Sequence, residues 1–161
     1  MSAGAQPLLG TFSNTIRNST IKRLRKVPAG GENWAPFDGG MSFADIAYHI
    51  IECDVALLRG VESRQIDKNL GTAGAMPIGS RPEFDSLVER LKDLKDKRFR
   101  MIQGLTNEQM NIIVEADRIR GVEHIPIGGL ILEMLDHEIH HRGQLSTYLR
   151  VYAETHQSAA S

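Results

Sequence analysis

The residues of this chain best suited to chemistry are three histidines within five consecutive positions, His137, His140 and His141. An α-helix advances about 100° per residue, so His137 and His141 would lie about 40° apart and one turn from each other. Two imidazoles at this spacing can bind one ion without bending the helix, as in the H-E-x-x-H motif. The spacing therefore makes this segment a candidate metal-binding helix.

The pair formed by His137 and His141 is predicted to face the interior of the protein. Four apolar residues fall within about 80° of His137 on the same helical wheel; they are Leu130, Met134, Leu145 and Tyr148. His140 falls about 60° to the other side, away from the apolar arc. Because buried imidazole nitrogens need partners, the pair either forms hydrogen bonds with other helices or binds a metal ion.

A third histidine, His49, lies at the edge of the apolar arc of an earlier predicted helix. The residues within about 40° of it are small and leave room for a neighbouring helix, an ion and a ligand; they are Ser42, Cys53, Ala56 and Gly60. Alone, His49 would be interpreted as an ordinary histidine at the edge of the core. Together with the pair, it predicts one divalent ion bound by His49, His137 and His141.

A site of three histidines indicates a particular chemistry. Three neutral imidazoles leave a divalent ion with its full charge and an open position, which is typical of catalytic zinc sites. Such an ion lowers the pKa of bound water to about 7, and the same Lewis acidity favours the thiolate form of a bound thiol. Thiol transfer and hydrolysis have the same ligand requirements, so the ligands do not distinguish between them.

Other residues near these histidines have simpler interpretations. Cys53 is interpreted as a small buried residue rather than as a ligand or nucleophile. Asp136 and Glu138 could support the ion or act as general bases, but solvated or interhelical ion pairing is favoured for both. Arg142 is expected either to pair with an acidic residue or to bind an anionic substrate, and Trp34 is expected to cover the core.

Four helices are predicted to position these residues within a single domain, residues 1–161. Helical apolar spacing covers about residues 8–27, 43–61, 82–105 and 127–154. The first helix is predicted from the spacing of Leu9, Phe12, Ile16 and Leu24. Ser42 is the expected N-cap of the second, with Asp45 three positions on. Residues 111–114 have β character but no obvious partner strand. With a long connection over residues 62–81, the pattern predicts an all-α four-helix bundle with long connections.

The charge of the chain is nearly balanced, with 19 basic and 20 acidic residues. Neither nucleic acid nor a membrane surface is expected as a partner. Asp93 and Asp96 interrupt the one basic run, which is interpreted as a solvated helix face; its members are Lys92, Lys95, Lys97, Arg98 and Arg100. One cysteine, no long apolar segment and no visible export signal favour the cytoplasm.

Two segments resemble the DinB/YfiT superfamily of metal-binding four-helix bundles. One is Ala47-Tyr48-His49-Ile50, preceded by Trp34 and Gly40, and the other runs from Asp136 to Leu145 and on to Tyr148-Leu149-Arg150. The resemblance implies a four-helix bundle with a long second connection that is often dimeric and binds zinc or nickel. Its three ligands match His49, His137 and His141.

The resemblance also implies the reaction classes to be considered. Characterised relatives include low-molecular-weight-thiol S-transferases, a thiol-dependent isomerase and proteins described as metal-dependent hydrolases. We therefore expect a metal-dependent S-transferase or hydrolase that acts on a small electrophilic substrate, with a low-molecular-weight thiol as a candidate co-substrate. The alternative is a metal-binding or small-ligand-binding bundle without turnover. A homodimer is expected in either case.

Overall fold

The structure is a computed structural model that describes residues 6–66, 76–119 and 122–157. The described residues form five helices and one hairpin. In chain order these are α1 (Gln6–Leu24), α2 (Phe43–Ser63), α3 (Arg81–Gly104), α4 (Asn107–Met110), β1 (Ile113–Ile119), β2 (Val122–Pro126) and α5 (Ile127–Gln157). The four long helices are those that the sequence predicts, with ends that differ by a few residues.

The four long helices pack as a bundle in which α1 and α2 each contact both α3 and α5. The core is divided into two hydrophobic clusters. The first lies where α2 begins and α5 ends and includes Phe43, Leu145 and Tyr148. The second lies where α2 ends and α5 begins and includes Leu57 and Leu130. The predicted all-α bundle is therefore confirmed, and its midsection separates two apolar halves.

The start of α2 is fixed by the predicted cap. The backbone N–H of Asp45 donates to the Ser42 hydroxyl at 3.1 Å, and the Asp45 carboxylate accepts from the Ser42 backbone N–H at 2.8 Å. This reciprocal pair is a complete capping box and satisfies donors that a helix start leaves open. Asp45 also accepts from the backbone N–H of Met76 at 2.7 Å, which ties the segment before α3 to this cap.

The first helix differs from its predicted pattern. Ile16 and Leu24 are buried as expected, but Phe12 is 49% exposed. The buried face of α1 is instead largely polar and includes Ser13, Arg17 and Thr20. The apolar spacing correctly predicts the helix, and three of its four residues, Leu9, Ile16 and Leu24, face the core. Phe12 does not, and the inner face also holds polar residues that the apolar spacing did not indicate.

The expectation that residues 111–114 form a strand without a partner is wrong. Strand β1 pairs antiparallel with β2, in a register that places Ile113 opposite Pro126 and Val114 opposite Ile125. Val114 and Ile125 are buried against the second cluster. The backbone of Ile66 donates to Glu115 at 3.0 Å, so the segment after α2 joins this hairpin.

Part of the predicted connection over residues 62–81 lies outside the described residues. Where the chain resumes before α3, the Asn33 side chain bonds both the N–H and the C=O of Ile78, at 3.0 and 2.8 Å. Among the described helices, none combines the length and the apolar character needed to cross a membrane.

Candidate metal centre

The three predicted ligands lie together in the midsection of the bundle. His49 lies on α2, and His137 and His141 lie one turn apart on α5. The Nε2 atom of His137 is 3.2 Å from Nε2 of His49 and 3.1 Å from Nε2 of His141. The rings meet edge to face, with centroids 4.5 to 4.9 Å apart.

The spacing of these nitrogens fits a metal ion. Nitrogens bound tetrahedrally at about 2.0–2.1 Å from zinc lie about 3.3–3.4 Å from one another, close to the 3.1 and 3.2 Å observed. Hydrogen bonding explains the arrangement less well. A neutral imidazole nitrogen carries one proton or one lone pair, yet Nε2 of His137 faces two other nitrogens. A cation would satisfy all three lone pairs at once.

The tautomer of His141 is set by Gln144. Nδ1 of His141 lies 2.7 Å from Oε1 of Gln144, so Nδ1 donates and Nε2 is left with its lone pair. Burial, followed by the neighbouring charge of His137, lowers the pKa of His141 to about 4. The ring is therefore neutral at pH 7, which is the form that binds a metal.

His49 and His140 behave as the wheel predicts. His49 is half-buried, and burial lowers its pKa against the attraction of Glu52. His140 is exposed, although its ring contacts the edge of His141. The face assignment from sequence is thus confirmed for His137, His140 and His141.

Cys53 is closer to the histidines than its simple interpretation implied. Its Sγ lies 3.8 Å from Nε2 of His49 and 3.6 Å from Nδ1 of His137. His49, Cys53 and His137 therefore form a second possible ligand group that shares two members with the first. Burial and the negative charges of Asp54, Glu52 and Glu138 raise the pKa of the Cys53 thiol to about 12.

A group of four buried charges adjoins the histidines, and we name it the charge quartet: Arg17, Asp54, Arg98 and Glu138. Their side chains are at most 3% exposed. Nε and Nη2 of Arg17 donate to the two oxygens of Glu138 at 2.7 and 3.0 Å. Nη1 of Arg98 donates to Asp54 at 2.9 Å and to Glu138 at 2.8 Å.

Two further contacts complete the charge quartet. Arg17 forms an ion pair with Asp54 at 2.7 Å, and Arg98 donates to the hydroxyl and the carbonyl of Ser13. Burial alone would raise the pKa of Glu138, but Arg17 and Arg98 outweigh it and lower that pKa to about 2. Asp54 and Glu138 likewise raise the pKa of Arg17 against the effect of burial. Arg17 and Glu138 therefore stay charged.

The charge quartet decides the role of Glu138. Residues 137–141 match H-E-x-x-H, in which the glutamate of a metalloprotease is the general base. Here both oxygens of Glu138 accept from guanidinium groups, and the carboxyl does not take up a proton near neutral pH. Interhelical pairing is confirmed for Glu138, while a solvated position and a general-base role are not.

Three members of the charge quartet are not evident from the sequence pattern. Arg98 was placed on a solvated basic face and is in fact 1% exposed. Arg17 and Asp54 were not singled out at all. Two residues could have indicated the charge quartet: Arg17, which lies on the inner face of α1, and Asp54, which follows Cys53. Buried charges require partners, so two charged residues on inward faces suggest an ion pair between helices.

Trp34 packs against Phe43 and covers the first cluster as expected.

Comparison with known proteins agrees with this fold. The family model of the DinB superfamily matches residues 14–145, and the chain belongs to that superfamily. A similar solved structure is a DinB-like protein from Bacillus subtilis, YjoA, with 18% sequence identity and a TM-score of 0.69. The alignment covers 91% of this chain and 92% of that one. Comparison with curated proteins gave no match.

Proposed function

We propose that the chain binds one divalent metal ion, zinc or nickel, through His49, His137 and His141. The observation that carries this proposal is the convergence of three Nε2 atoms, with His137 3.1 and 3.2 Å from its neighbours. The Nδ1–H of His141 is engaged by Gln144, which leaves its Nε2 ready to bind. An ion held by three neutral imidazoles supplies Lewis acidity, which lowers the pKa of water or of a thiol bound to it.

His141 is a better third ligand than Cys53 for two reasons. First, Cys53 faces Nδ1 of His137, whereas the other two histidines face Nε2 of the same ring. One imidazole cannot bind one ion through both nitrogens. Second, Gln144 engages Nδ1 of His141, so Nε2 of His141 keeps its lone pair, and this Nε2 lies 3.1 Å from Nε2 of His137.

The reaction that this site supports best is the joining of a thiol or water to a small electrophile. Three neutral ligands, membership of the DinB superfamily and the resemblance to thiol S-transferases and hydrolases support this proposal. In this reaction the three histidines would hold and orient the ion. Glu138 would not act as the base that takes the proton of the thiol or water, because its oxygens already accept from Arg17 and Arg98. A non-catalytic metal-binding bundle is the alternative.

The test combines metal loading with substrates. The chain freed of metal and then loaded with Zn²⁺ or Ni²⁺ is assayed with low-molecular-weight thiols against alkyl halides and epoxides, and with water against esters. We expect thiol- or water-dependent turnover in a loaded sample and none in the His137→Ala variant. Stoichiometric binding without turnover over the whole panel would favour the non-catalytic alternative.

We also propose a homodimer of cytoplasmic chains, each with a complete site. Leu8 and Phe12, four residues apart on α1, are 78% and 49% exposed and support pairing through that helix. Sedimentation at micromolar concentration should give the mass of two chains, and a monomer would contradict the proposal. Mixing His49→Ala with His137→Ala chains should restore no metal binding, because all three ligands lie in one chain.

A further inference from the structure

The charge quartet is built from all four long helices of the bundle. Asp54 lies on α2 and Glu138 on α5, the two helices that carry the histidines. Arg17 lies on α1 and Arg98 on α3. Each guanidinium contacts both carboxylates, so the two histidine-bearing helices are linked through the two helices that bear none.

The carboxylates are also adjacent in sequence to the candidate metal centre. Glu138 follows His137, and Asp54 follows Cys53. Consecutive residues of a helix point about 100° apart, so fixing the direction of Glu138 also fixes the direction in which His137 points. The two parallel hydrogen bonds from Arg17 to Glu138, at 2.7 and 3.0 Å, restrict rotation of α5 about its axis.

Stability alone is a weak reason for such a group. Removing four charges from water is costly, and well-packed apolar side chains of similar volume often stabilise a protein as much or more. What apolar packing does not supply is direction, because it tolerates small rotations and slides that a forked ion pair does not. Metal ligands must be held to within about 0.5 Å, so direction matters most beside such a site.

We propose that Asp54 and Glu138, held by Arg17 and Arg98, are positioning residues that align His49 with His137 and His141 for metal binding. This inference rests on the proposed metal site. It assigns the charge quartet a role through the histidines, since its carboxylates are occupied by guanidinium groups. A purely structural role would instead weaken folding and leave the affinity of the folded chain for metal unchanged.

The test compares metal affinity among folded variants of nearly equal shape. Glu138→Gln and Asp54→Asn keep the size of each side chain and remove its charge. Two controls match them: Asp85→Asn removes a carboxylate from an exposed pair with Arg81, and Val88→Ala weakens the first cluster from α3 without touching the charge quartet. Zn²⁺ affinity is measured by chelator competition, and the visible spectrum of bound Co²⁺ reports the coordination geometry.

We expect Glu138→Gln and Asp54→Asn to lose about 10- to 100-fold in Zn²⁺ affinity and to change the Co²⁺ spectrum, as substitutions behind metal ligands do. Both controls should stay within about threefold of the original chain. Wild-type affinity and spectrum in the two folded carboxylate variants would overturn the inference. An original chain that binds neither ion would instead overturn the proposed metal site.

If the carboxylate variants do not fold, Arg98→Lys tests the same positioning role. It retains the positive charge but lacks the planar fork that contacts Asp54, Glu138 and Ser13. We expect a folded chain with Zn²⁺ affinity lowered several-fold and an altered Co²⁺ spectrum. Unchanged affinity and spectrum in Arg98→Lys would contradict the positioning role.

Discussion

The midsection of the bundle contains two polar groups that solve the same physical problem in opposite ways. His49 and His141 lower their cost of burial by staying neutral, because burial lowers both pKa values, that of His141 to about 4. In the charge quartet, burial would raise the pKa of Glu138, but two guanidinium groups outweigh it and lower that pKa to about 2, so Glu138 stays ionised. The histidines therefore keep nitrogen lone pairs available for a metal ion. In the charge quartet, the carboxylate oxygens are engaged by guanidinium groups and are not free for chemistry.

The location of both groups explains how a small bundle tolerates them. Apolar clusters lie on either side, one containing Phe43 and Leu145 and the other Leu57 and Leu130. Each half of the molecule therefore has a core of its own. The polar midsection lowers the stability of the fold. It also fixes the orientation of the histidine side chains and provides a place where a cation can be bound.

The largest expected effect comes from breaking the charge quartet outright. Glu138→Ala leaves two buried guanidinium groups without a main partner, so the free energy of unfolding should fall by about 3–5 kcal/mol. Urea denaturation of the metal-free chain measures this loss. The exposed Asp85→Ala control should change it by less than about 1 kcal/mol. Equal losses in the two variants would mean that the charge quartet contributes no more to the free energy of unfolding than an exposed ion pair does.

Acidification should separate the two groups by pH. The folded pKa of His141, about 4, lies below its ordinary value of 6.5, so protons bind the unfolded chain first. Stability of the metal-free chain should therefore fall as pH drops from 6.5 towards 4. Glu138 adds a further loss from pH 4.5 towards about 2. In His141→Gln the first loss should shrink, and an unchanged pH profile would refute the assignment.

Metal removal should have a smaller effect on the fold than on the site. Both apolar clusters are complete without an ion, so chelation should lower the melting temperature while the helical circular dichroism stays largely intact. Complete unfolding on chelation would identify a structural metal of the zinc-finger kind. It would also mean that the two apolar clusters do not support the fold without the ion.

The smallest expected effect is that of Cys53. Because its sulfur lies beside Nδ1 of His137, whereas the other two histidines face Nε2 of that ring, Cys53→Ser should leave the metal content unchanged. His141→Ala, by contrast, should lose most of the metal. Elemental analysis of both variants decides between the two ligand groups, and a reversed order would assign the site to His49, Cys53 and His137.

The sequence predicted what depends on local periodicity. Helix spacing, the Ser42 cap and the inward face of His137 and His141 all repeat within a few residues, so each can be recognised in a short segment. Arg98 could not be placed in this way, because its partners Asp54 and Glu138 lie 44 and 40 positions away. Local charge alternation around it resembled a solvated face.

The hairpin was missed for a related reason. Val114 looked like part of a strand without a partner, since the pairing segment that contains Ile125 comes directly before the start of α5. Pairing between short segments depends on what lies opposite, and a single strand does not carry that information.

We expect His49, His137 and His141, and not the neighbouring His140, to bind one metal ion. Elemental analysis of the purified chain, alongside His49→Ala, His137→Ala, His141→Ala and His140→Ala, tests it directly. We predict about one divalent ion per chain, lost in the first three variants and retained in His140→Ala, whose ring lies on the exposed face. A chain without metal, or equal loss in all four variants, would contradict the claim.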